Sequence, residues 1–297
     1  MAGLYDVRAL AEDTAGKVSS SPLDWMAYLD TAAKLYRYPF SDSLLIHAQR
    51  PDATACASME LWNRKMNRWV NRGAKGIALI DDSGTRTRLR YVFDVSDTHM
   101  VHGGRPMYLW KMEERHHEAV LAYLSDTYGI KWEKDGEPMR AVLQDLAGRL
   151  ADENLAGAMD GLVDAAGGTL LEGMSATELR DNFQELLANS IFYMVSRRCG
   201  LDPMDYLLES DFAGITDFNT RTVLTFLGNA AGQIAENLLT GIGKTVHKVS
   251  RDEMQKNLAN GKFVGYNNFN TLNRENEKQG GVEDGTDLPQ QRGLPVS

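Results

Sequence analysis

The 297-residue chain has only two cysteines, Cys56 and Cys199, and no Cys-x-x-Cys spacing. That rules out a disulfide framework and points to a reducing cytoplasm, with both thiols acting as small buried hydrophobes. No apolar run approaches the ~18 residues that a membrane span requires. The opening stretch MAGLYDVRALAEDTAGKV also lacks an apolar signal core. Histidine is scarce: the six are His47, His99, His102, His116, His117 and His247, and none lies between 118 and 246. A helical zinc-peptidase site needs two imidazoles one turn apart, and no His-Glu-x-x-His pattern is present. His99-Met-Val-His102 and His116-His117-Glu118 have no complete ligand set nearby and read as surface histidines. No residue is marked as a nucleophile by its neighbours. Gly241-Ile-Gly-Lys-Thr245 mimics the end of a phosphate-binding loop, but the first glycine of that motif would fall at Leu238, and a helix precedes it. Neither metal nor cofactor is expected.

What is present is an uneven distribution of charge. The chain as a whole carries −9. Residues 31–111 contain 13 Lys and Arg against seven Asp and Glu, whereas residues 112–243 carry −13. Within the basic stretch, Arg and Lys alternate with Tyr and Trp. Cations that track phosphates, interleaved with rings that stack on unpaired bases, are the footprint of a single-strand nucleic-acid site.

The periodicity predicts an α+β protein with helices over 4–19, 22–36, 41–49 and 58–70. Ser21-Pro22 supplies a cap and a first-turn proline for the second of these. A β-hairpin follows, 76–80 and 89–95, turning through Asp81-Asp82-Ser83-Gly84. From Glu113 onward the pattern is helical, at 113–128, 138–165, 175–199, 203–208, 219–240 and 250–259, with caps at Ser175 and Ser250. Only Ile130 to Glu133 looks strand-like. Three regions are expected: 1–111, 112–266, and a polar Gly- and Pro-containing tail at 267–297 that lacks the apolar residues to order itself.

Several residues in the first region are candidates for a strand-binding groove. Tyr36 and Tyr38, flanking Arg37, are expected to be exposed stacking rings. Trp62 and Trp69, seven apart, would share one helix face, with at least one ring buried against the sheet or with Trp69 free to stack. Arg64, Lys65, Arg68 and Arg72 flank those indoles. In Arg72-Gly-Ala-Lys75-Gly76, glycines permit close approach of a phosphate to the backbone and Lys75 supplies charge, although an ordinary turn gives the same pattern. Arg86, Arg88 and Arg90 would line one face of a strand, either solvated or in contact with DNA.

Ser41-Asp-Ser-Leu-Leu-Ile-His-Ala-Gln-Arg-Pro51, the Ala53, Thr54 and Trp62 step, Arg72 to Gly76, and Val92-Phe-Asp-Val95 together resemble the N-terminal domain of ArdC-type antirestriction proteins. That domain also heads large helicase and methylase proteins of conjugative elements. The resemblance covers about a third of the chain and implies single-stranded DNA binding without catalysis. It also implies that the second half is a zincin-like domain lacking its metal site, with Glu185 where a third ligand would sit. Implied partners are single-stranded DNA and other domains of a larger mobile-element protein. A competing reading makes the chain an inhibitor of a host defence enzyme, with the acidic helical half mimicking DNA charge. An active metalloprotease is a third class, disfavoured by the missing histidines.

Overall fold

A computed structural model describes residues 3–102, 107–133 and 136–259. One compact unit runs from Met1 to Val249, and a second begins at Ser250; the described part of the second is the final turns of a helix that ends at Ala259. The expected tail at 267–297 lies outside the described residues.

The first unit opens with three helices, α1 (Leu4–Val18), α2 (Pro22–Lys34) and α3 (Phe40–Gln49). α2 starts as expected, since the Ser21 hydroxyl accepts the Asp24 amide and Pro22 occupies the first turn. Three antiparallel strands follow in the order β1–β4–β3: β1 (Cys56–Ala57), β3 (Ile77–Asp81) and β4 (Arg88–Asp94). In the β3–β4 hairpin Ile77 faces Val92 and Asp81 faces Arg88. α1 and α3 cover this sheet, closing a small core of Val7, Leu45, Ile46, Ile77, Leu79 and Val92. Two further strands, β2 (Arg68–Val70) and β5 (Thr98–Met100), form a separate antiparallel ribbon.

The remainder is helical: α4 (Glu114–Tyr128), α5 (Pro138–Ala158), α6 (Leu162–Ala165), α7 (Ala176–Cys199) and α8 (Arg221–Ala259). Helices packed on a small antiparallel sheet, followed by a mainly helical half, make the chain α+β. α7 begins in a capping box in which the Ser175 hydroxyl accepts the Glu178 amide and the Glu178 carboxylate accepts the Ser175 amide.

Four expectations need correction. The helix predicted at 138–165 breaks at Gly161, whose φ of +78° belongs to the left-handed region that favours glycine. Ile130 to Glu133 is not a strand; Ile130 is buried and Trp132 packs against the main core. The two helices predicted at 219–240 and 250–259 are one continuous α8, so Ser250 lies within the helix and not at a helix start. Residue 111 is no boundary between cores. Trp25 of α2 donates its indole N–H to Ser190 of α7 at 3.0 Å, and Asp30 pairs with Arg197 at 2.6 Å. α2 is therefore enclosed by the helices that follow, within one large apolar core.

Candidate nucleic-acid interface

The Ser41–Pro51 block turns inward. The Asp42 carboxylate is paired with Arg90 of β4, and Ser43 shares a hydrogen bond with Tyr28 at 2.9 Å. His47 Nδ1 meets the Thr31 hydroxyl at 2.8 Å. The Gln49 amide both donates to the Ala78 carbonyl and accepts the Ala78 N–H, each at 2.9 Å, extending β3 by one side chain. Arg50 grips Asp97 at 2.5 Å and Ser96 at 2.9 Å. The later blocks join the same network. Asp94 accepts the amides of Thr54 (2.7 Å) and Ala55 (2.9 Å), and Trp62 donates to the Phe93 carbonyl at 2.8 Å. Burial disfavours the Asp94 charge, but the Ala55 amide, the Ser96 hydroxyl and amide and the Thr54 amide outweigh it and hold the group below its ordinary pKa. Those polar residues therefore bolt α3 to the sheet, leaving few of them for a ligand.

The exposed chemistry lies on the β2–β5 ribbon. A short helical turn, Leu61–Lys65, ends with the Met66 amide on the Leu61 carbonyl at 3.2 Å. Asn67 then adopts φ +51°, a left-handed conformation that asparagine tolerates, and the chain leaves as β2. The helix expected over 58–70 is thus replaced by a turn and a strand, and Trp62 and Trp69 do not share a helix face. Trp62 is fully buried; Trp69 is 54 % exposed. Val70 packs against the Trp62 cluster, while Trp69 sits on the opposite face of the strand and pairs across the ribbon with His99. His99 is held by Asn71 at 2.6 Å. After β2 the chain turns at Asn71–Ala74, closed by the Ala74 amide on the Asn71 carbonyl at 3.1 Å. Gly73 at the third position has φ +86°, which a side chain would strain.

The predicted cations divide into two groups. Arg90 is taken by Asp42, Arg88 by Asp81 (2.8 Å) and Arg64 by Glu60 (2.8 Å). Arg68 is half-buried beneath the ribbon, its guanidinium on the Thr98 hydroxyl at 2.8 Å, and desolvation lowers its pKa. By contrast Arg37, Lys65, Arg72 and Lys75 are exposed, and no carboxylate among the described residues pairs with them. Lys65, Arg72 and Lys75 all lie within six residues of Trp69 along the chain.

Tyr36 and Tyr38 are not the exposed rings expected. Tyr36 is 7 % exposed because its ring closes the main core and its hydroxyl accepts the Trp110 indole N–H at 3.2 Å. Tyr38 is half-buried, donates to the Cys56 carbonyl at 2.8 Å, and burial raises its pKa. Arg37 between them remains outside, 5.7 Å from the Tyr36 ring centre. His99, which the sequence marks only as a surface histidine, is the cross-strand neighbour of Trp69. The alternation of Arg68-Trp-Val70 was the available signal, but three residues are too few to reveal a strand.

The Gly241–Thr245 segment is interior to α8, and Glu185 is exposed on α7. Among the described residues no group of three His, Cys, Asp or Glu could hold a metal, and no helix is long and apolar enough to cross a membrane. Comparison of the chain with protein-family models, with curated proteins and with solved structures finds no match.

Proposed function

We propose that this protein binds single-stranded DNA on the β2–β5 ribbon, without catalysis of its own, in the cytoplasm and in the setting of a mobile genetic element as the ArdC-type resemblance implies. The observation that carries the reading is Trp69. Its ring is 54 % exposed on the ribbon, where it can stack on a base, and Lys65, Arg72 and Lys75, which no carboxylate among the described residues pairs, lie within six residues of it along the chain. Base–aromatic stacking contributes roughly 1–3 kcal/mol per base, so one such ring with a few phosphate contacts is enough for a measurable site.

Fluorescence anisotropy of a labelled oligothymidylate titrated with the full chain tests it. Binding is expected to weaken steeply as salt rises. Arg72→Ala with Lys75→Ala should make the log–log salt slope shallower by about 0.7 for each lost phosphate contact. Trp69→Ala should lower affinity by roughly 1–3 kcal/mol with the slope nearly unchanged, because stacking releases no counterions. Absence of binding at low salt would sink the reading. Binding with a wild-type slope in the double variant would move the groove elsewhere.

A further inference from the structure

A second aromatic and cationic cluster surrounds Trp110. Arg198, in the last turn of α7, places its guanidinium 3.7 Å from the centre of the Trp110 indole. That indole donates to Tyr36 at 3.2 Å, and a Cβ on Gly243 of α8 would collide with its nitrogen, so the ring is fixed from several sides. Tyr108, 47 % exposed, meets the His247 imidazole edge to face at 5.3 Å. Arg37 lies over Tyr36 nearby.

Arg198 differs from the other half-buried arginines in having, among the described residues, no polar partner beside the indole it stacks on. Its neighbour Arg197 is paired with Asp30 (2.6 Å) and Asp202 (3.5 Å). Arg198 makes neither hydrogen bond nor ion pair among the described residues, and the groups whose charge bears on it are Tyr36, Cys199 and Tyr108, none of them a carboxylate. Stacking on an indole stabilises the cation but leaves its five N–H donors unused in the plane of the fork. A partly desolvated guanidinium with free donors is balanced by an oxyanion that can accept two parallel N–H bonds from the fork, a carboxylate or a phosphate.

We propose that Arg198, Arg37 and Tyr108 form a subsite for a phosphate ester carrying an aromatic base, the guanidinium groups on the phosphate and the Tyr108 ring against the base. The ester is either one nucleotide of a bound single strand, in which case the subsite rests on the reading above, or a free nucleotide, in which case it does not.

The test titrates the full chain with an oligothymidylate and, separately, with thymidine monophosphate, comparing wild type, Arg198→Gln and Arg198→Lys. Arg198→Gln should weaken binding about tenfold or more, the effect of losing hydrogen bonds to a charged group, and Arg198→Lys, which keeps the charge but loses the planar fork, should recover only part of it. A loss confined to the oligonucleotide identifies the strand as source; a loss of monophosphate binding identifies the free nucleotide. The subsite is overturned when Arg198→Gln binds both ligands like wild type, or when wild type binds neither. Trp69→Ala weakening the oligonucleotide while Arg198→Gln weakens neither ligand would leave the ribbon standing and remove the subsite. Should Arg198→Gln fail to fold, the exposed positions carry the same test through Arg37→Gln and Tyr108→Ala.

Discussion

Trp62 donates its indole N–H to the Phe93 carbonyl and is enclosed by Phe93, Met66 and Val70, whereas Trp69, seven residues on, projects from the ribbon. Removing each ring should therefore have opposite consequences. Trp62→Ala leaves a large cavity and an unsatisfied carbonyl, and should cost ~3–5 kcal/mol in urea unfolding. Trp69→Ala should change stability by no more than about 0.5 kcal/mol, with its effect confined to the DNA titration. A stability loss at Trp69 comparable to that at Trp62 would make the exposed ring structural. His47 bears on pH. Burial lowers its pKa from the ordinary 6.5, with the Asp24 charge opposing weakly. A group whose folded pKa lies below its unfolded one takes up its proton more readily when unfolded. Stability is therefore intact above pH 6.5 and declines as pH falls below that value towards the folded pKa. Urea midpoints should fall on acidification through this window, and fall less in His47→Gln. Equal slopes in the two proteins would assign the sensitivity to another group.

α8 shows how one residue type can be read for the wrong reason. Gly228 faces the Phe40 ring, Gly241 the Tyr123 hydroxyl and Gly243 the Trp110 indole, and a Cβ at any of the three would overlap its neighbour. These glycines admit aromatic side chains against the helix. A phosphate-binding loop uses glycine for the same freedom of close approach, which is why Gly241–Thr245 imitates one. Gly232, in the same helix, has nothing within 4 Å of its would-be Cβ. Gly232→Ala should thus stabilise by up to about 1 kcal/mol through helix propensity, while Gly228→Ala should destabilise by about 1–3 kcal/mol through overpacking. Thermal melts in which both substitutions stabilise would refute the packing account. The same contrast explains what the sequence could reveal. The caps at Ser21 and Ser175 and the β3–β4 hairpin depend on residues close in sequence, so their signals are local. The β2–β5 ribbon depends on pairing Trp69 with His99 and on the left-handed turn at Asn67. Neither is visible in a window that also satisfies a helical period. The basic–aromatic character of the site was legible, but the burial of Tyr36 was not. That burial arises from contact with Trp110, 74 residues away.

The whole unit is organised around α2 and α7. Trp25, Tyr28, Leu29 and Ala32 of α2 are each less than 5 % exposed, and this side of the helix faces Ser190, Tyr193 and Arg197 of α7 as well as the other helices of the main core. The sheet has a core of its own beneath α1 and α3, but it is small, with ten buried side chains. Stripping α7 from α2 would return large apolar rings to water at roughly 1.5–3 kcal/mol each, against a net stability of about 5–15 kcal/mol for a typical domain. It would also leave the Trp25 indole and Asp30 without their partners. A fragment of residues 1–111 should therefore unfold without a sharp cooperative transition, although it contains every cation and ring of the β2–β5 ribbon. Circular dichroism melts of that fragment beside the full chain give the comparison: a broad, low-amplitude transition is expected for the fragment. A two-state melt near the full-length midpoint would show that the sheet core suffices and that α2 merely leans on α7. In the expected case, loss of DNA binding in the fragment would report loss of fold, so the ribbon has to be probed by substitutions in the intact protein.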